Sequence, residues 1–352
     1  METTKQNKII IVNENKKRVK YFDIARGIAI ILMIVGHTLD FGWKRNLIFS
    51  FHMPLFIIIS GMFFKERDIK SFIINIIKKL IIPYIITIFI TNLVKALIID
   101  KNIDILSFIK EYIMQILYSF AYLKIKTNVK EIGVLWFFPL LAIIRIIFYI
   151  LKKISKDDKI LLGALCFLLS YIGYILGMKE KWLLFSIDVA FSCLIFYYIG
   201  YILYNKKILE KILSNKKLLF VILIIWLIGI KFSWIELAVR RYPDGLFCYI
   251  IGICGTLIVL KISKIIEQKS IVLTNILSWY GRNSMYILLM HHVERELVNY
   301  KNLYKNFLDK KTIYKFMVIF LKMTLCSIGT MIINYISEFI MRMKKNDEKC
   351  RN

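Results

Sequence analysis

Paired cysteines are missing from this chain, and so are a nucleic-acid-binding motif, an evident internal repeat and any polar stretch long enough for a separate soluble domain. Cys166, Cys193, Cys248, Cys254, Cys326 and Cys350 form no C-x-x-C pair, and most stand inside apolar runs. That argues against a zinc site and against a disulfide framework, and leaves them as small packing residues. Acidic residues are scarce as well, 24 against 51 lysines and arginines. The resulting charge of +27 invites a nucleic-acid reading. However, the lysines sit in short clusters between apolar runs, which is how membrane topology is set, and no nucleic-acid partner is expected. Nor is a secretory signal expected. "GHTLDFGWKRN" follows the first apolar segment with no small-residue cleavage site, so that segment reads as a retained helix.

What is present is apolar length. The 352 residues are 58% hydrophobic with a mean hydropathy of +0.63. Several runs approach the roughly 20 residues that cross a bilayer. The reading is an all-α, polytopic integral membrane protein with about ten transmembrane helices in one bundle. The spans fall near 23–41, 46–64, 71–99, 134–152, 158–177, 182–204, 217–235, 244–263, 280–298 and 312–341. The third and tenth are long enough to tilt or extend beyond the bilayer. Pro54 and His52 make the second the least regular. Residues 1–22 read as a basic tail, 23–341 as one membrane domain, and 342–352 as a second tail. The sizeable loop 100–133 contains "ILSFIKEYIMQILYSFAYL", which at that length reads as re-entrant or interfacial. With both termini cytoplasmic, the inner segments carry 26 basic residues against about 17 in the outer loops. A multi-pass protein of the cell membrane, surrounded by lipid, is the expectation.

The first span is the informative one, because ionisable groups at membrane depth cost a few kcal/mol and are functional candidates by default. Arg26 and His37 are 11 residues apart, three helical turns plus about 20°. They share a face, about 16 Å apart along the axis. Asp23, three residues before Arg26, is placed to pair with it. His52 lies about as far beyond the turn "FGWKRN" as His37 lies before it, so an antiparallel hairpin brings the two histidines to similar depth. Taken singly, each has a bland reading: Arg26 snorkels to the interface, His37 is a satisfied core histidine, and His52 serves the helix end near Pro54.

Asp23-x-x-Arg26 with Gly36-His37, followed by "FHMPLFIIISG", resembles the opening of the membrane acyltransferase-3 family, in its fucose 4-O-acetylase-like branch. "KKLIIPY", "LWFFPLL", "IDVAFSCLIFYYIGY" and "GRNSMYILLMH" match further family motifs in order, over essentially the whole chain. The resemblance implies an O-acyltransferase, with acetyl the usual group. It would move the acyl group from cytoplasmic acyl-CoA to a hydroxyl of a cell-surface carbohydrate or its lipid-linked precursor. His37 is implied as the catalytic base, with Arg26 and Asp23 beside it. No permanently bound cofactor or metal is implied; acetyl-CoA enters as donor substrate.

Phosphates need cations, so Arg26, Lys78, Lys79 and Arg282 are the acyl-CoA candidates at the inner face. Positive-inside anchoring explains Lys78 and Lys79 equally well. His52, Trp136, Asp188, Asn283, Ser284 and His291 are the acceptor-side candidates. Trp136 stacks on a sugar or belongs to an interfacial belt; Asp188 bonds an acceptor or faces water; Asn283 and Ser284 line the pocket or cap the ninth helix. Direct transfer and an acyl-histidine intermediate both remain open. A transporter of a sugar, polysaccharide or amino acid is the competing function, and the sequence leaves the acceptor and the oligomeric state undetermined.

Overall fold

Single polar residues cut the apolar runs into helices. The Asp68 side chain accepts hydrogen bonds from the amides of Lys70 and Ser71, Asp104 from Ser107, Asp158 from Ile160 and Leu161, Asn215 from Leu218 and Ser270 from Leu273. Each satisfies amide donors that a helix start leaves without partners. The computed structural model describes residues 19–40, 42–100, 104–121, 130–203, 206–300 and 311–351. Most of the expected N-terminal tail and part of the loop 100–133 lie outside them.

The helices are α1 (Tyr21–Gly36), α2 (Trp43–Met62), α3 (Ile69–Ile76), α4 (Ile82–Val94), α5 (Ile105–Tyr118), α6 (Phe137–Ile154) and α7 (Lys159–Met178). They continue as α8 (Ile187–Leu203), α9 (Lys206–Ser214), α10 (Lys216–Phe232), α11 (Phe247–Lys269), α12 (Ile271–Arg282), α13 (Ser284–Leu297) and α14 (Lys311–Arg351). Among the described residues there is no strand, only an isolated bridge between Glu236 and Arg241. The protein is an all-α polytopic membrane protein. Pro83 offers no N–H to the carbonyl of Lys79, and α3 runs into α4 through a widened π turn, Ile77–Ile81.

The expected ten spans resolve into fewer. Among the described residues, seven helices are long and apolar enough to cross a membrane, and α9 with α10, bent by 81° at Asn215, makes an eighth if it counts as one span. The first and ninth depart from expectation. α1 has 16 residues, about 24 Å, and α12 and α13, with 12 and 14, break at Asn283. α1 is short because most of it is buried inside protein and need not match a hydrocarbon thickness, whereas α12 turns Ile271, Val272 and Ile276 outward and stops at the break. α5, 14 residues or about 21 Å, is likewise too short to span, as its sequence suggested. The last helix continues to Arg351, so residues 342–351 are helical in continuity with the tenth span.

Glycines set the closest crossings. A Cβ on Gly27 would lie 2.0 Å from the carbonyl oxygen of Leu277, and one on Gly281 would lie 1.7 Å from that of Asp23. The backbones of α1 and α12 therefore touch where Arg26 stands, the small-residue contact that membrane helices favour. Gly61 and Gly200 do the same for α2 and α8. Around this centre, α4, α7, α10 and α14 turn Ile, Leu and Phe side chains such as Phe220, Ile228, Phe316 and Phe320 outward. The five free cysteines among the described side chains are all buried, as packing residues should be.

Candidate active site

The polar face of α1 separates into two ends. At its start Arg26 Nη2 donates to Asp23 Oδ1 at 2.7 Å, the pairing that the three-residue spacing implies; Asp23 is buried and Arg26 partly open. His37 directly follows the last helical residue with right-handed helical angles, so the 11-residue rise from Arg26 is kept. Gly36 lets α2 close in, since a Cβ there would meet Phe49 Cε2 at 2.9 Å. As a result the His37 ring sits edge-on to Phe49, with centroids 5.6 Å apart.

His37 lines a cavity of about 450 Å³ that it shares with His52, Trp136, Ser284, Arg45 and Glu236. Arg45 bonds Glu236 at 2.7 Å and lies over the Phe49 ring at 4.0 Å. Glu131, Arg241 and Arg295 complete the charged wall. The hairpin of α1 and α2 thus brings both histidines to one cavity, as their sequence positions suggested. His52 is also tied structurally, through Nδ1 to the Ile48 carbonyl at 3.0 Å. Trp136 reaches the cavity from the turn Gly133–Trp136 that opens α6.

Arg26 lines a second cavity, of about 400 Å³, with Lys65, Arg67, Lys79 and Arg145. These five cations share its wall with no acidic lining residue among the described residues. Ser60, Asn75 and Tyr197 supply neutral polar groups. Lys78 and Arg282 do not line it: Lys78 is exposed one residue around the helix from Lys79, and Arg282 is exposed with Nη1 bonded to Ser278 at 3.1 Å. Phe56, Phe137, Ser284 and Met285 line both cavities, so these four residues form the wall between them.

Three acceptor-side candidates lie elsewhere. Asp188 is fully buried and clasped by Arg240, with Nε to Oδ2 at 2.8 Å and Nη2 to Oδ1 at 3.3 Å. Arg240 also stacks on Trp182 at 3.9 Å. The pair anchors the segment Leu237–Val239, which is part of the His37 cavity wall, so Asp188 supports the cavity without reaching it. Asn283 donates to the Trp279 carbonyl at the end of α12 and accepts from Asn334 of α14, which is a helix-end role. His291 is buried behind His37, the two ring centroids 5.7 Å apart. The sequence reading passed over Arg45, Arg67, Arg145 and Glu294. Arg145 had a signal, being a lone cation in "FFPLLAIIRIIFYIL", and so did Glu294, three residues from His291.

Beyond His37 lies a third space of about 320 Å³, lined by Thr38, Asp40, Tyr314 and Lys322 among others. Near it the donor atoms of His291, Glu294 and Cys326 come within 4.8 Å of one another. The ammonium of Lys322, 3.4 Å from Glu294 Oε1, already supplies the cationic charge that this cluster needs.

Apolar spanning helices around a polar first helix, with a cavity at each end of its charged face, define a multi-pass membrane protein with a buried reaction-sized centre. Residues 19–336 match the acyltransferase-3 family, described as an acyltransferase domain, and the chain belongs to that family: it is a membrane acyltransferase. No curated protein and no solved structure matches it.

Proposed function

We propose that this protein is an O-acyltransferase of the cell membrane that moves an acetyl group from cytoplasmic acyl-CoA to a hydroxyl of a surface carbohydrate or its lipid-linked precursor. The observation that carries the reading is the pairing of two unlike cavities across one wall. Among the described residues, one has five cations and no acid in its lining; the other has two histidines beside mixed charge. The Arg26 cavity suits the phosphates of the donor, since charge-assisted hydrogen bonds from guanidinium groups are the strong ones. With both termini cytoplasmic, the start of α1 and this cavity face the donor's compartment. The thioester passes the wall at Phe56, Phe137, Ser284 and Met285, and the acceptor enters beside His37 and Trp136.

His37 takes the proton from the acceptor hydroxyl as that oxygen attacks the thioester carbonyl. The C–S bond breaks, the acyl group stays on oxygen, and the thiolate recovers the proton as the free thiol. Trp136 offers a ring face to the sugar, and Asp23 holds Arg26 toward the donor.

The experiment uses purified protein in lipid, radiolabelled acetyl-CoA and a crude glycan-lipid extract of the host. Base-labile label on carbohydrate is expected, falling by about 10²–10⁴ in an equally folded His37→Ala variant. Donor binding is expected to persist in that variant. Acetyl-CoA that neither binds nor reacts with folded protein would turn the reading toward a transporter.

A further inference from the structure

His291 is one of three buried groups in a row that the reaction above leaves unused. Its Nδ1 meets Glu294 Oε2 at 2.9 Å, one turn along α13. Glu294 Oε1 lies 3.4 Å from Lys322 Nζ of α14. The side chains of His291 and Glu294 are 0% and 2% exposed, and that of Lys322 only 11%. His291 Nε2 is buried with no hydrogen-bond partner among the described residues, and the neighbouring imidazole is that of His37, its plane tilted by 37°. A carboxylate at Nδ1 holds the ring proton there and leaves Nε2 as an acceptor. An acceptor beside His37 favours the His37 tautomer whose N–H points toward His291. The other His37 nitrogen then presents its lone pair to the 450 Å³ cavity.

We infer that His291 and Glu294 are positioning residues that fix the tautomer and proton affinity of His37, with Lys322 as their counter-charge. This rests on the reading of His37 as the base. The proton that His37 accepts sits on its cavity-facing nitrogen and returns from there to the departing thiolate, while the pair bears on the imidazolium from the other ring nitrogen, so no proton leaves the site. The alternative is a packing contact that merely ties α13 to α14.

The charges around His37 come from every side and bear on the test. α2 brings Arg45 and His52; α13 brings Arg295 besides His291 and Glu294. α14 brings Lys322 and Lys315, the latter paired with Asp40 just past His37. Glu131, Glu236 and Arg241 face the same cavity. Arg295 also bears on His291, and Tyr300 and Cys326 lie against Glu294; Glu294, which bonds His291, and Lys322, which pairs with Glu294, carry opposite charge.

The readout is carbethoxylation of His37 by diethyl pyrocarbonate as a function of pH, followed by peptide mass spectrometry on the full chain in lipid. The reagent modifies neutral imidazole, so its midpoint reports protonation whether or not any acceptor is known. Removing a carboxylate disfavours the imidazolium; Glu294→Gln is expected to lower the midpoint by about one pH unit. Lys322→Met is expected to raise it by a similar amount. In His291→Gln, adding either change should no longer move the midpoint. Opposite shifts that vanish in the His291→Gln background support the inference even if no acyl transfer is found, so its failure is distinguishable from that of the proposed function. Midpoints that move in the same direction, or stay fixed in folded variants, would overturn it. Should Glu294→Gln fail to fold, the Lys322→Met and His291→Gln pair decides alone: a shift that survives loss of His291 sinks the idea.

Discussion

The two ends of α1 have been built on opposite electrostatic plans. Around Arg26 the lining charges are all positive, on α1, α3–α4, α6 and the connection that carries Lys65 and Arg67. Around His37 three arginines face two glutamates, Arg45 directly paired with Glu236 at 2.7 Å, and histidines supply the side chains able to take up and release a proton. A surplus of one sign in a cavity selects a ligand of the other sign and draws it in. Mixed charge with imidazole selects for hydrogen bonding and proton transfer instead. The contrast means that damage at one end should be separable from damage at the other, and that is where the proposed division of donor and acceptor is most exposed to test.

The largest effect is expected from Asp188. It and Arg240 are 0% and 1% exposed in the side chain, and removing one charge of such a pair leaves the other buried without compensation, at a cost of about 3–5 kcal/mol. Asp188→Asn keeps the shape and loses the charge, so the wall segment Leu237–Val239 loses its anchor. Thermal unfolding of the protein in lipid should show the loss. At temperatures where the variant is still folded, acyl-CoA affinity should be unchanged while the apparent KM for acceptor rises. Equal weakening at both ends would mean that the two cavities are one mechanical unit, and the comparison would fail.

A smaller and opposite change is expected at the Arg26 end. Arg145 lines the cavity from α6, its guanidinium 5.5 Å from the Phe72 ring centroid. Arg145→Met retains most of the volume. Charged hydrogen bonds contribute about 1.5–3 kcal/mol, so donor affinity measured by calorimetry should fall by about tenfold or more. Arg241→Met, at the His37 end, should leave it within about twofold. If the two substitutions weaken acyl-CoA alike, the donor does not sit where the positive charge is concentrated.

How much of this was legible in the sequence follows from how local each feature is. The helix starts were written in Asp68, Asp104, Asp158 and Asn215, and the shared face of Arg26 and His37 followed from helical period alone. Family membership was legible too, through motifs in chain order. Span counting went astray at α1, because hydropathy cannot tell a helix surrounded by lipid from a shorter one surrounded by protein, and at the α12–α13 break, because a hydropathy window averages over a local interruption such as Asn283. Asp188 misled because its partner Arg240 is 52 residues away, and nothing local marks such a pair. Lys78 and Lys79 were inseparable in sequence, while the helix turns only one of them to the cavity.

The smallest effect tests what holds the Lys65–Arg67 connection in place. Glu66, between these two cavity cations, bonds Lys152 at 2.8 Å and Lys153 at 2.6 Å at the end of α6. Those bonds lower its carboxyl from the ordinary value to about 2. A carboxyl lowered on folding contributes stability that is fully present above its ordinary range, near 4.5, and is lost as pH falls toward about 2. The side chain is 41% exposed, so solvent screens the pairs and keeps their contribution under about 1 kcal/mol. Glu66→Gln at neutral pH mimics the acidified state, and donor affinity should fall by less than about fivefold, with catalysis by bound donor unchanged. The wild-type protein should lose that small increment of folding stability as pH falls from about 4.5 to about 2, whereas the variant should show no such step there. A step of equal size in both would assign the acid sensitivity to another group and release Glu66 from any part in holding the donor end.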